Sequence, residues 1–512
     1  MTPESIPLSA RFQIGIAFLL IVAAWIWHGK RSSARLPPGP NPLPIIGNIG
    51  LPKDTLSSFK NWADQYGDIM TLRIMGKNIL ILNSKAAADE LLEKRSSSTY
   101  ARPVYTMAHE IVGTKHFPSQ TSDPATHKTY RRMLAMSLSP RASEAYRPTQ
   151  MLEIRKAVMD MLNEADNYVA AIQRAVASIA LQIAYGYDIN KEDDGLIKKI
   201  QRMMHIIVEV QIPGRFLVDV IPALKYLPTW IPGMKFKRDG ELWAAQIREV
   251  EQIPFDRVKR DMAAGTAKPS LVSTLLEQSS AVDEEKWIKM VAGALYNAGA
   301  ETTSAAIQNF LAAIVMFPDV QKKAQRELDA VIGRDRPPTI EDRAHLPYCS
   351  AVVHETLRWQ PVTPGAIPHV FVHDEEFMGY RIPKGTVTLA NVWAMSRNAT
   401  EYPDPEIFKP ERFLEADKHG AENVERFRVG FGFGRRVCPG IALAEASLFA
   451  AVVSILWTCN ISPPSSGSSA KPQEIEMRFG NTLRIHRPDP FPIHVNPRFL
   501  GAVELIRDTI RD

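Results

Sequence analysis

Phe431-Gly432-Phe433-Gly434-Arg435-Arg436-Val437-Cys438-Pro439-Gly440 is the stretch on which the reading of this chain turns. It sets one cysteine in a glycine-rich loop, with two arginines just before it. An apolar helical pattern, Ile441 to Val453, follows at once. A cysteine at a helix N-terminus sits in positive potential, which favours the thiolate. The glycines free backbone N–H groups to point at the sulfur and let a flat ligand come close. Pro439 suits the first helical turn, where its missing N–H costs nothing. A thiolate held this way is a good axial ligand for haem iron. The plainer alternative is a buried free cysteine in a glycine turn.

Working outward, Glu284 to Phe317 is long, apolar and periodic, the pattern of a buried helix. Its middle reads Ala298-Gly-Ala-Glu-Thr-Thr303. Gly299 and the alanines let something flat lie against the helix. Thr302 can bond back to the preceding turn and open the backbone ladder. An acid and a hydroxyl on such a helix are costly unless used or solvated. A second buried helix, Leu346 to Trp359, carries Glu355 and Arg358 at a spacing that lets them pair, and Arg412 follows in Pro410-Glu-Arg-Phe413. Thr126 to Leu134 presents His127 and Arg131 four residues apart. Val362 to His369 is a proline-rich turn, and Phe479 to Leu483 a late one.

The chain has 512 residues, 45% of them hydrophobic, so a large core is available. Three cysteines give no disulfide framework, which fits a reducing compartment. A formal net charge of +5 with no basic block gives no case for nucleic acid. Phe12 to Trp27 carries no charge and as a helix spans roughly 24 Å, a little under the ~30 Å hydrocarbon core. Arg11, Lys30 and Arg31 can snorkel to extend it, and Trp25 and Trp27 suit the interface. Lys30, Arg31 and Arg35 after the run place the bulk of the chain on the cytosolic side. A cleaved signal peptide would carry its basic residues before the run instead. Repeated prolines from Leu36 to Asn48 predict a stiff extended spacer.

Strand-like runs at 69–75 and 78–82 predict a hairpin with Gly76 near the turn. Ser84 to Lys94 reads as a helix capped by Ser84. The apolar connection Phe216 to Pro232 has two readings: core packing, or a roof over a site that dips into a membrane surface. No Gly-x-Gly-x-x-Gly opens a βαβ unit, so no flavin or dinucleotide motif is present.

Phe431, Gly434, Arg436, Cys438 and Gly440 together resemble the signature of the cytochrome P450 family. The Pro hinge, Glu301-Thr302, Glu355-x-x-Arg358, Arg412 and the cysteine loop follow in that family's order. The resemblance implies one mostly α haem-thiolate monooxygenase domain with small β-sheets, at 51–512. An N-terminal transmembrane anchor (1–30) and a hinge (31–50) would precede it. It implies that Cys438 ligates the iron of haem b, and that Phe431, Gly434 and Gly440 shape the loop around it. His127, Arg131, Arg436 and His369 would hold the propionates, with His127 standing where the family usually has Trp. Glu301 and Thr302 would handle protons for oxygen activation, while Glu355, Arg358 and Arg412 would form a structural lock. With no flavin motif, electrons would come from a separate NADPH-dependent reductase, and Arg435 could help dock it. The expected setting is the endoplasmic reticulum membrane, single-pass, with the catalytic domain cytosolic. The short anchor and the Pro-Asp-Pro-Phe-Pro run at 488–492 resemble fungal secondary-metabolism members, which suggests hydroxylation of an apolar terpenoid or polyketide. Two readings from other classes are a haem-thiolate isomerase or dehydratase needing no external electrons, and a non-catalytic haem-binding membrane protein.

Overall fold

A computed structural model of the chain describes residues 36–44, 46–48, 52, 54–189, 194–212, 214–278, 284–414, 427–464, 477–481 and 483–511. The expected anchor lies outside the described residues. Helices dominate and small sheets lie at one side, as the sequence predicts. In chain order the main helices are α1 (Thr55–Tyr66), α2 (Pro124–Leu138), α3 (Arg147–Asn163), α4 (Tyr168–Tyr185) and α5 (Asp194–Val210). After them come α6 (Lys235–Ala263), α7 (Leu271–Gln278), α8 (Glu285–Met316), α9 (Pro318–Val331) and α10 (Pro347–Trp359). The series ends with α11 (Ile441–Thr458) and α12 (Ala502–Arg511).

α8 runs through the centre, packed on α2, α4, α6, α10 and α11. A helix surrounded on all sides must be apolar nearly all round, and most of α8 from Thr303 to Ile314 is buried. Among the described residues, two helical stretches are long and apolar enough to cross a membrane, Ala165–Tyr185 and Ile441–Thr458. Both are 72% buried inside the protein, so core packing accounts for their apolar character. α2 starts cleanly because Asp123 accepts from the Thr126 N–H at 2.8 Å and Pro124 sits in the first turn.

The main sheet joins β1 (Ile69–Ile74), β2 (Lys77–Leu82), β3 (His369–Val370) and β6 (Val387–Ala390) in the order β1-β2-β6-β3. β2 and β6 are parallel, and the other two pairs antiparallel. β4 (Glu375–Phe377) and β5 (Tyr380–Ile382) form a hairpin; β7 (Cys459–Ser462) and β8 (His494–Pro497) also pair antiparallel, although they lie far apart in sequence. The β1–β2 turn has φ of 49° at Met75 and 78° at Gly76. Two positive values suit the right-handed twist of a tight hairpin.

Three sequence expectations change in the fold. The described part of the proline stretch is docked on the sheet edge and is no free spacer. Pro38 O accepts from the Thr71 N–H at 2.8 Å, and a Cβ on Gly39 would lie 2.0 Å from Thr71 O. The segment covers the open backbone of β1, the edge that would otherwise recruit another strand. The helix expected over 84–94 begins as a Ser84-capped turn, Lys85–Ala88, and widens over Asp89–Lys94. The connection 216–232 is divided: Val218 is fully buried in the core with Phe216 and Leu224 packed against it, while Leu217, Tyr226 and Trp230 are 60%, 77% and 80% exposed.

Candidate active site

The cysteine loop is shaped by its own backbone. Gly434–Arg436 form one tight turn, and the Cys438 N–H donates to Phe431 O at 2.8 Å, folding the loop back on itself. Gly434 has φ +54°, and a Cβ there would lie 2.3 Å from Leu92 O. Only glycine fits. Phe433 is buried and Phe431 half-buried against the loop. Pro439 sits in the turn before α11 and not in its first helical turn, because Gly440 takes the N-cap position. The Gly440 N–H then faces Cys438 Sγ. A Cβ on Gly440 would meet nothing closer than that sulfur, at 3.9 Å. The protein's own atoms therefore leave the space beside the sulfur clear.

Cys438 lies deep in the fold yet is only half-buried. On the central helix α8, Ala298 is exposed although the neighbouring turns are buried. Exposure this far inside marks an internal opening. Thr302 Oγ1 donates to Ala298 O at 2.7 Å, the bond back to the preceding turn expected from the sequence. Gly299 differs from expectation: a Cβ there would meet Ala180 of α4 at 3.8 Å, so this glycine faces a helix and not the opening. Burial pushes the Cys438 thiol up, while the Gly440 N–H and Arg131 pull it down. Desolvation outweighs the helix N-terminus, so the positive potential alone does not secure the thiolate.

Beside the sulfur stands a ring of cations. Arg131 Nη1 donates to Val437 O at 2.6 Å, fixing the residue next to Cys438. Arg436 donates to Tyr100 O and Thr121 O. Arg102 donates to Ser119 O, Ile367 O and Pro368 O. These bonds go only to carbonyls, and among the described residues no salt bridge pairs an acid with any of the three. Burial, and then Arg131, push Arg436 down to about 10. Burial and Arg436 likewise hold Arg102 well below its ordinary value. His127, four residues before Arg131 on α2, is held neutral at about 3 by burial and then by Arg436, Arg131, Arg102 and Arg435. A buried cationic cluster without an acid suits an anionic group. Three guanidiniums beside an opening that bares a sulfur fit a flat group bearing two carboxylates.

His369 lies beside the ring, where the Arg102 and Arg436 charges act on it. Its Nδ1–H donates to Thr99 O at 2.8 Å. The neutral ring then has no N–H left for a carboxylate. A second proton is opposed by burial, Arg102 and Arg436. Arg102 is the member that sequence reasoning missed, since an Arg-Pro pair in an irregular loop carries no periodic signal.

Glu301 has its carboxyl raised by burial, with Arg487 and His205 opposing. Its Oε1 lies 3.9 Å from Arg487 Nη1, and Oε2 is buried with no partner among the described residues. Glu355, Arg358 and Arg412 do come together. Glu355 accepts from Arg358 twice at 2.7 Å and from Arg412 Nε at 3.1 Å, with Glu355 and Arg358 fully buried. Arg358 also donates to Ser396 O and Pro405 O, and the Lys409 N–H to Glu355 Oε1. The late turn reaches the Val362–His369 segment, where the Gly365 N–H donates to Leu483 O at 2.9 Å.

Residues 37–484 match the family model described as Cytochrome P450. The chain is 38% identical over 491 residues to cytochrome P450 monooxygenase 253 of Postia placenta, covering 95% of this chain and 92% of the relative. It is 35% identical to cytochrome P450 monooxygenase claR of Ampulloclitocybe clavipes, over 96% and 91% of the two chains. To the multifunctional cytochrome P450 monooxygenase af510 of Aspergillus fumigatus it is 33% identical, over 96% and 94%. A cysteine bared inside the fold, a cationic ring beside it and matches across nearly the whole length lead to one conclusion: the chain belongs to the cytochrome P450 family, haem-thiolate monooxygenases that draw their reducing equivalents indirectly.

Proposed function

We propose that Cys438 Sγ ligates the haem iron, and that Arg102, Arg131 and Arg436 hold the haem carboxylates with His127 as a neutral N–H donor. Haem bound there would supply oxygen activation, with the Cys438 thiolate holding its iron. The chain's own residues do the remaining work. Arg131 grips Val437 O and keeps the sulfur turned to the opening. Gly440 keeps that side clear and aims its N–H at Sγ. Thr302 and Glu301 hold protons on α8, where burial favours the neutral acid of Glu301. Glu355, Arg358 and Arg412 brace the chain ahead of the loop and are structural. The observation that carries this reading is the half-buried Cys438 with the Arg131 guanidinium beside it and no acid paired to that arginine among the described residues.

The substrate in this reading is an apolar terpenoid or polyketide of fungal secondary metabolism, hydroxylated at carbon. Electrons come from an NADPH-dependent reductase. Arg435, with Lys128 and Arg132 on the outer face of α2, gives it an exposed basic surface on the Cys438 side. The chain sits on the endoplasmic reticulum membrane by the anchor at 1–30, with the exposed apolar connection 216–232 resting on the same surface. The test is the absorption spectrum of the purified protein, titrated with terpene, polyketide and fatty-acid candidates. A thiolate-type haem band that turns high-spin with terpenes or polyketides, and that Cys438→Ala abolishes, supports the reading. A thiolate band that persists in Cys438→Ala refutes the ligand.

A further inference from the structure

α8 carries polar groups that haem binding does not use. Gly293, Asn297 and Glu301 are spaced four residues apart and share one face. Gly293 gives room to the Glu251 carboxylate of α6, since a Cβ there would lie 3.5 Å from Glu251 Oε1. Glu251, Asn297, Tyr185 and Met203 help enclose a cavity of ≈ 10 Å³ open to the centre of a water molecule, room for one water. Asn297 is 8% exposed, and its Oδ1 has no partner among the described residues. Pro254 lies inside α6 on the cavity wall. Lacking an N–H, it leaves the Val250 carbonyl without its helical donor. One turn beyond Asn297, Glu301 Oε2 is also buried and without a partner among the described residues. The line from Gly293 to Glu301 is about 12 Å long.

We propose that Glu251, a water held by Asn297, and Glu301 form a buried proton line along α8 that feeds the Glu301–Thr302 turn from the α6 side. The proposal rests on the monooxygenase reading, which consumes protons at that turn. The water donates one hydrogen to Asn297 Oδ1; its oxygen takes the Glu251 proton while its other hydrogen passes to Glu301 Oε2, one turn further along α8. Glu251 is left as the carboxylate and Glu301 as the acid, so charge is conserved. Glu251, 9% exposed at the edge of α6, regains its proton from solvent.

The electrostatics suit a group that both holds and releases a proton. Burial raises the Glu251 carboxyl to about 7, while Lys289 of α8 and Arg248 of α6 pull it down. The other titratable groups that sense it are Tyr130 of α2 and Tyr185 of α4. Tyr296 of α8 also lines the cavity, and α5 presents Ile200 and Met203. At the far end Arg487 and His205 face Glu301.

The test is infrared titration of the haem-loaded full chain, from about pH 5 to about pH 9. The wild type should show a neutral-carboxyl band that fades near pH 7 and is absent from Glu251→Gln. The midpoint of that band should move in Glu301→Gln, and its frequency in Asn297→Leu. A band missing from the wild type, or indifferent to both substitutions, overturns the line. Reductase-driven NADPH oxidation at pH 8 should fall about tenfold in Glu251→Gln, with a larger solvent isotope effect and recovery in Glu251→Asp. A rate equal to wild type also overturns it. The thiolate signature in the same samples reports the haem site separately, so a failed line with that signature intact refutes the line and leaves the reading of Cys438 standing.

Discussion

Replacing Glu251 with glutamine should change how stability depends on pH, by an amount the structure sets. Glu251 is 9% exposed, and burial raises its carboxyl from an ordinary 4.5 to about 7. The folded protein therefore keeps a proton that the unfolded chain gives up between those values. Stability falls as pH rises through that window and levels off above about 7, because the folded state binds more protons there. A shift of about 2.5 units at ~1.36 kcal/mol each comes to about 3 kcal/mol. A glutamine side chain fills the same space and cannot ionise. The variant should thus gain about 3 kcal/mol on wild type between about pH 4.5 and about pH 7.5. Urea unfolding of both proteins, followed by tryptophan fluorescence across that range, measures the difference. Taking the difference cancels neutral buried histidines such as His127 and His486, which titrate alike in both chains. Curves that run parallel at every pH would falsify the assignment of a neutral buried acid to Glu251.

Three further outcomes follow from the geometry. Glu355→Ala strands the fully buried Arg358 without its carboxylate. It should cost about 3–5 kcal/mol in thermal or urea unfolding, and a loss under about 1 kcal/mol would show the network to be dispensable. Gly434→Ala forces a side chain into φ +54° and within 2.3 Å of Leu92 O, so it should destabilise the loop by more than about 3 kcal/mol and sharply lower haem content. Gly440→Ala, whose nearest contact is 3.9 Å, should fold normally and lose haem alone; equal stability losses in both would contradict the steric argument. In vesicles of brominated lipid, Trp230→Phe should remove part of the tryptophan quenching of the full chain, since Trp230 is 80% exposed on the apolar connection. Unchanged quenching would detach that surface from the membrane.

Periodicity made much of this fold legible. α8 and α11 are largely apolar because they are enclosed, and the bounds of α8 and α10 fall within one or two residues of those expected. The Glu355–Arg358 pair followed from its helical spacing, and the Thr302 bond to Ala298 O from the known habit of a hydroxyl in a helix. What escaped depends on contacts between segments far apart in sequence. Arg102 joins the cationic ring only because its loop is drawn against Ile367 and Pro368. His369 gives its Nδ1–H to Thr99 O, a partner distant in sequence. The role of Gly299 was misjudged because a glycine's direction around a helix depends on which neighbour lies against it, here Ala180. Glu251 left a trace that was overlooked: it falls four residues after Ile247 and eight after Trp243, inside the apolar stripe of α6.

That trace bears on how the central helix can be polar at all. A carboxyl and an amide on a buried helix each cost free energy unless bonded or solvated. Asn297 Oδ1 and Glu301 Oε2 have no protein partner among the described residues, although apolar side chains fill most of the surrounding positions on α8 and its neighbours. Glu251 of α6 adds a third buried polar group, beside a helix-interior proline that removes one donor. Packing alone would select against such a run of adjacent defects, because apolar residues of similar volume are as stable or more so. Their alignment on one face, over about 12 Å and ending at Thr302, is what a path for protons needs and what a core does not. If Asn297→Leu both stabilises the protein and leaves reductase-driven turnover intact, the alignment is accidental. If it stabilises while turnover falls, the cost of the buried amide is accounted for by its function.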